Sequence, residues 1–269
     1  MIKIKMHAMY DHFPELTPIN RLEPAIDCYS DTYVEQCKGP GNNIALLLEP
    51  RSMIGPAYEY VAAHPEYFSY IFTHDSELLR LPHARMMNWA DVWLTTDSEK
   101  TKGISLVTST KNWCPLHNAR LELYEYFKEH GGVDVFYGDW NNTNIPQVEP
   151  ADYLEHYKFS IIIENDIDDY WYTEKILNCF ATKTIPIYVG ARRIHEIFNP
   201  AGMIIAENCK AIPQIVKNIN DFQLGNWFRL IGKWAIEDNF KRVEPWKTPW
   251  KERFFRDYGD LLEGMMNGK

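Results

Sequence analysis

The sequence predicts an α/β protein made of two Rossmann-like halves. Three observations carry that expectation. Short apolar runs alternate with helix-like segments, the alternation restarts after the polar stretch Ser98–Gly103, and the length suits two units. A chain of 269 residues fits two domains of ordinary size and buries about 70–75% of the surface its unfolded form exposes, so it needs no disulfide or metal staple. With 45% hydrophobic and 24% charged residues, it falls outside the disordered, collagenous and disulfide-rich classes. The formal net charge of −9 opposes nucleic acid as a partner, because phosphates demand a basic face. Aromatic residues are in excess at 14%, and such rings serve both as core filling and as platforms for sugars and bases.

The elements follow in order. Ile2–Met6 alternates apolar and polar residues and reads as a first strand. No apolar h-region follows its lysines, so it is not read as a signal peptide, and the expected location is cytoplasmic. Ile44–Leu48 is a strand that ends at Glu49-Pro50, since proline cannot continue a ladder. Phe68–Phe72 and Val92–Thr95 read as short strands, with Ser76–Leu81 and Arg85–Trp89 as short helices or loops. Past the boundary, Ile104–Thr108 is a strand, Leu116–His130 a helix closed by Gly131-Gly132, and Val133–Tyr137 a strand. Gly138–Pro150 is a loop, and its glycosylation triplet Asn141-Asn142-Thr143 matters only in a secreted chain.

Ala151–His156 is a short helix, Phe159–Ile163 a buried strand, Thr173–Ala181 a helix and Ile185–Val189 a strand. Arg192–Phe198 is a short helix stopped by Asn199-Pro200, and Met203–Ala206 and Ala211–Ile219 close the unit. Residues from Asn226 to Met266 read as mainly helical, interrupted by Pro245 and Pro249. Five scattered cysteines without a C-x-x-C pair indicate reduced thiols. No apolar run approaches the roughly 20 residues of a membrane span.

The densest chemical signal is Ile161–Lys175, where a buried strand ends in polar residues and a helix starts near Thr173. In open α/β sheets, ligands bind outside the carboxyl ends of strands, often against a helix N-terminus. Lys175 in the first turn is placed to reach a phosphate, and Glu174 to accept from ribose hydroxyls; Thr173-Glu174-Lys175 also reads as a plain capped helix start. Asp166 and Asp168 form a D-x-D arrangement that offers a rival, metal-binding reading. Arg120, early in its helix, suits bidentate phosphate contact or a surface pairing with Glu122 or Glu125. Glu49, at a strand end, reads as a general base for a hydroxyl or as a polar terminus paired with Arg51. The histidines show no ligand spacing, and no nucleophile elbow, Walker A or G-x-G-x-x-G appears.

Ordered motifs carry the reading further. Tyr157–Asn165, Tyr172–Ile176 and Thr184–Gly190 resemble, in order, the Tyr-Lys-Phe…Glu-Asn, Tyr-x-Thr-Glu-Lys and Pro-x-x-x-Gly motifs of the α-1,3/4-fucosyltransferase family, glycosyltransferase family 10. Ser105–Thr108 with Asn118-Ala-Arg120, Val133–Gly138 and Phe198–Gly202 are similar to further segments of that family, and the resemblance spans about Ile44 to Ala206. It implies a GT-B fold, two Rossmann-like domains with a donor cleft between them. The implied division is an acceptor-side domain at 1–100, a nucleotide-sugar-binding domain at 101–235 and a helical segment at 236–269 packing back on the first domain.

The resemblance further implies that Arg120 and Lys175 bind the GDP diphosphate, Glu174 the ribose, and Asn165 the donor pocket, with Trp171 and Tyr172 against the nucleotide. Glu49 would be the base for an acceptor hydroxyl in an inverting displacement that needs no metal and no cofactor beyond the donor, GDP-fucose. The expected partners are that donor and an oligosaccharide or glycoconjugate acceptor, as in bacterial or viral soluble forms. The alternatives are another nucleotide sugar (GDP-mannose or a UDP-sugar), with metal assistance through Asp166 and Asp168, or a non-catalytic nucleotide-sugar-binding module. The aromatic stretch Trp246–Met266 repeats at i, i+4, i+8, which fits core packing; peripheral membrane contact stays open although Asp257, Asp260 and Glu263 would repel anionic lipid.

Overall fold

The computed structural model describes residues 2–16, 25–138, 145, 147–221 and 232–268. The triplet at Asn141 and the expected helical start at Asn226 lie outside the described residues. The chain divides into two units. The first comprises Met1–Trp89, Asp168–Trp171 and Pro249–Lys269, and the second Ala90–Ile167 and Tyr172–Thr248.

The first unit is a five-stranded parallel sheet in the order β1 (Ile4–His7), β2 (Ile26–Ser30), β3 (Asn43–Leu46), β4 (Tyr70–Thr73), β5 (Ala84–Met86). β3 lies in the middle and is buried along its whole length. Ala45 and Leu47 enter one apolar cluster with Ala57, Tyr58 and Val61, while Ile44 and Leu46 enter another with Phe72, Phe254 and Leu262. A strand covered on both faces is why this segment reads as a continuous apolar run. Helix α1 (Arg51–Ala63) covers the first face. It begins after Pro50, departs from helical geometry at Ile54 (φ −133°) and contains Pro56. The helix α7 (Trp250–Met266) covers the second face, where Phe254 lies 4.8 Å from the Phe72 ring and 5.6 Å from Phe13.

The second unit is also a five-stranded parallel sheet, in the order β10 (Ile204–Ile205), β9 (Ile185–Val189), β8 (Tyr157–Ile163), β6 (Lys102–Thr108), β7 (Asp134–Tyr137). Ile161 and Ile163 face a cluster shared with Leu123 and Phe127 of α2 (Pro115–His130) and Val216 of α5 (Ile212–Asn220). Ile162 faces the opposite cluster, with Leu154 of α3 (Pro150–Leu154) and Ile176, Leu177 and Phe180 of α4 (Glu174–Ala181). α6 (Gly232–Arg242) completes the unit. α2 stops where Gly131 and Gly132 adopt φ of 70° and 84°, conformations that a side chain disfavours, and Gly131 N–H donates to Phe127 O at 2.8 Å.

β2 and α1 are not among the expected elements, and two expected segments take another form. Val92–Thr95 joins no ladder among the described residues; the N–H groups of Trp93 and Leu94 instead both donate to Oδ1 of buried Asn178, at 2.8 and 3.2 Å. Arg85–Trp89 is neither helix nor simple loop; its start lies in β5, an edge strand paired only with β4.

Candidate functional site

In the second unit the site grows from the carboxyl end of β8. Glu164, fully buried, accepts hydrogen bonds from Thr173 N at 2.9 Å and Thr173 Oγ1 at 2.7 Å. That pair closes the base of the loop 165–172 and sets the start of α4. Gly190 leaves the room: a Cβ there would stand 2.6 Å from Cγ of Glu164. Burial pushes the Glu164 carboxyl above its usual range, against the lowering effect of Lys175. Thr173 is the N-cap of α4, accepting from Lys175 N, and Lys175 Nζ donates to Thr173 Oγ1 at 2.9 Å and to Glu174 Oε1 at 3.2 Å.

α2 approaches the same strand end. Its Pro115 occupies the first turn, where a missing N–H costs nothing. Arg120, one turn further, donates from Nη2 to Asn165 Oδ1 at 2.8 Å, and its buried Nε has no hydrogen-bond partner among the described residues. His117, one turn before Arg120 on the same face, accepts Trp113 N–H at Nδ1 (3.2 Å), so its Nε2 carries the proton and donates to Asn165 Oδ1 at 3.1 Å. Burial and the neighbouring Arg120 push His117 down to about 4, which keeps it neutral at physiological pH. Arg120 and Lys175 face a cavity of about 250 Å³, with Lys111, His117, Asn165, Glu174 and Trp93 also in its walls. A second cavity of about 130 Å³ shares Trp93, Arg120, Glu174 and Lys175. A buried guanidinium nitrogen without an acceptor among the described residues, in a cavity shared with two lysines, is an arrangement that an anion with several oxygens completes.

The first unit holds the other candidate. Leu48 N and Glu49 N both donate to Oδ1 of Asp31 (2.7 and 3.1 Å), Glu49 O accepts from Tyr58 Oη (2.7 Å), and Leu48 O accepts from Trp89 Nε1 (2.7 Å). The strand end carrying Glu49 is therefore gripped from three sides. Asp31 makes this grip from a positive φ of 51°, and burial raises its carboxyl above the usual range. Glu49 and Asp31 share a cavity of about 370 Å³ with His12, Tyr33, Trp89 and Trp250. Arg51 turns away from it to pair with Asp75 (2.6 Å) and Glu77 (3.0 Å).

Of the residues singled out from sequence, Arg120, Asn165, Glu174 and Lys175 meet in one cavity of the second unit, and Glu49 lines a cavity of the first. Trp171 and Tyr172 are core residues. The Trp171 ring is buried 4.6 Å from the His74 ring, and Tyr172 is buried edge-on to Phe198 and Trp246. In the acidic loop, Asp166 Oδ1 accepts Ile167 N–H, Asp168 Oδ1 accepts Asp169 N–H, and Asp168 Oδ2 lies 3.9 Å from His74 Nε2. Among the described residues, no group of three or more His, Cys, Asp or Glu side chains is arranged to hold a metal ion. Sequence reasoning missed Asp31, Trp93, Lys111 and His117. His117 had a legible signal, its i, i+3 spacing from Arg120; Asp31 had none.

Residues 97–246 match the profile of glycosyltransferase family 10 (fucosyltransferase), C-terminal region. The chain is 30% identical over 144 residues to 3-galactosyl-N-acetylglucosaminide 4-alpha-L-fucosyltransferase of Bos taurus, covering 50% of this chain and 35% of that protein. It is 31% identical over 68 residues to alpha-(1,3)-fucosyltransferase FucT of Helicobacter pylori, covering 25% and 14%. The matches thus span about a third or less of these curated relatives. Among solved structures, an alpha1,3-fucosyltransferase with GDP is similar in fold, with a TM-score of 0.53 at 16% identity, covering 86% of this chain and 79% of that one. The pneumococcal O-GlcNAc transferase GtfA in complex with UDP and GlcNAc is similar at a TM-score of 0.54 and 9% identity, covering 90% and 57%. The fold class is α/β of the GT-B type. Among the described residues no helix is long and apolar enough to cross a membrane.

Proposed function

The chain belongs to glycosyltransferase family 10, and from that premise we propose that it transfers fucose from GDP-fucose to a hydroxyl of a glycan acceptor. The observation that carries the donor assignment is the buried Arg120 guanidinium, whose Nε has no hydrogen-bond partner among the described residues and which shares a cavity with Lys111 and Lys175. In this reading Arg120 and Lys175 hold the diphosphate, Glu174 accepts from the ribose hydroxyls, and Asn165, its Oδ1 occupied by His117 and Arg120, lines the pocket.

The acceptor enters the cavity of the first unit. Glu49 takes the proton of its hydroxyl, the freed oxygen bonds to the anomeric carbon, and the carbon–phosphate oxygen bond breaks with its electrons leaving on GDP. A single displacement inverts the anomeric configuration. Arg120 and Lys175 supply the positive charge that stabilises the departing diphosphate, so the reading needs no metal ion. The five free cysteines suit a reducing compartment, in keeping with a cytoplasmic enzyme.

Calorimetric titration with GDP tests the donor site. The wild type binds, and Arg120→Lys and Lys175→Ala each weaken binding by about tenfold or more, the loss of one charge-assisted contact. Equal affinity in all three proteins removes the assignment.

A further inference from the structure

The two aromatic residues first expected at the nucleotide are core residues, yet the cavity does have an aromatic wall. Trp93 lines both of the cavities described above and is 61% exposed, although an indole ring is among the most costly groups to leave in water. Its backbone is not loose. Trp93 N–H donates to Oδ1 of Asn178, which is fully buried on α4, the helix that begins at Glu174. The neighbouring Leu94 N–H donates to the same atom, and Val92 N–H donates to Trp246 O at 3.0 Å.

A presented ring with a pinned backbone is pre-organised for contact. Beside it, Val107 and Val148 add apolar wall, while Arg120 and Lys175 supply the cationic part of the same cavities. A ligand that satisfies all of these groups is anionic at one end and planar and apolar at the other. Those are the features of a nucleoside diphosphate.

We propose that Trp93 is the stacking platform for the nucleobase of the donor. The inference rests on the donor reading above and adds to it a residue that selects nucleotide over bare diphosphate. Stacking on an aromatic face tolerates any base, so Trp93 contributes affinity for the nucleotide, and hydrogen-bonding groups set which base is chosen.

The experiment compares GDP with inorganic pyrophosphate as probes, by calorimetry, in the wild type, Trp93→Ala, Trp93→Phe and a control, Trp234→Ala, whose ring is 60% exposed on α6 and lines neither cavity. Trp93→Ala weakens GDP binding by about tenfold to a hundredfold and leaves pyrophosphate affinity within about twofold. Trp93→Phe recovers most of the GDP affinity, and Trp234→Ala changes neither. GDP also quenches less tryptophan fluorescence in Trp93→Phe than in the wild type. Because the ring is exposed, melting temperatures stay close to wild type and separate this effect from misfolding. Unchanged GDP affinity in Trp93→Ala overturns the proposal while leaving the donor reading standing. Parallel loss of GDP and pyrophosphate also overturns it, since the ring would then be shaping the anion site. A wild type that binds pyrophosphate but not GDP overturns both.

Discussion

At the scale of single residues, the cavity proposed for the donor is lined by neutral groups as well as cations. Asn165 Oδ1 receives one hydrogen bond from Arg120 and another from His117, so the orientation of its amide is set by which ring nitrogen of His117 carries the proton. The Trp113 N–H donated to Nδ1 decides that tautomer. Protonating His117 puts a second N–H against the Trp113 N–H and a second positive charge beside Arg120. Its folded-state pKa of about 4 lies below the ordinary 6.5, so between those values the unfolded chain binds a proton that the folded one refuses. The stability that neutral His117 contributes is therefore present above about pH 6.5 and is lost as the pH falls toward 4. Urea unfolding at pH 7 and pH 5 checks this: the wild type loses more stability on acidification than His117→Asn, and equal losses would contradict the assignment.

The elements show which parts of the fold the sequence made legible. α2, α4 and α5 carry apolar residues at helical spacing with Pro, Thr or Gly at their ends, and these local signals agree with the packing they enter. The buried strands β3, β8 and β9 are legible as apolar runs for the same reason. α1 was hidden by Gly55-Pro56, residues that punctuate loops; here Pro56 sits early in the helix, after the irregular Ile54. The strand-like Val92–Thr95 joins no ladder among the described residues; a side chain 80-odd residues away takes its donors instead, and no local pattern encodes such a partner.

The start of α4 is the element on which the site turns. Thr173 caps the helix, donates to Glu164 and accepts from Lys175. Thr173→Ala removes the cap and leaves a buried carboxylate short of a donor, a loss of ~2–4 kcal/mol. Thermal unfolding of Thr173→Ala and Thr173→Ser checks the estimate: the serine restores most of the stability, and two equally unstable variants would place the loss in the missing methyl.

For the whole molecule, the proposed chemistry is divided between two units. Glu49 and Asp31 line a cavity of the first, and Arg120, Asn165, Glu174 and Lys175 line a cavity of the second. The net charge of −9 gives no hint of the proposed anion site, which would be a local property of one strand end where two helices start. The candidate residues were legible because each stands at a β–α junction in a motif; the orientation of aromatic side chains was not, since Trp171 and Trp93 look alike in sequence yet one is buried and the other exposed. This division predicts separable effects. Glu49→Gln keeps the rise in melting temperature that GDP gives the wild type, yet loses transfer by about a hundredfold or more, the usual contribution of a general base. Retained turnover would remove Glu49 from that role.

The most direct measurement is fucosyl transfer from GDP-fucose to a panel of oligosaccharide acceptors in excess chelator, with the product's anomeric configuration read by NMR. Sustained transfer with inversion at the anomeric carbon is the expected result. Retention of configuration, activity abolished by the chelator, or no transfer to any acceptor by a protein that binds GDP would contradict it.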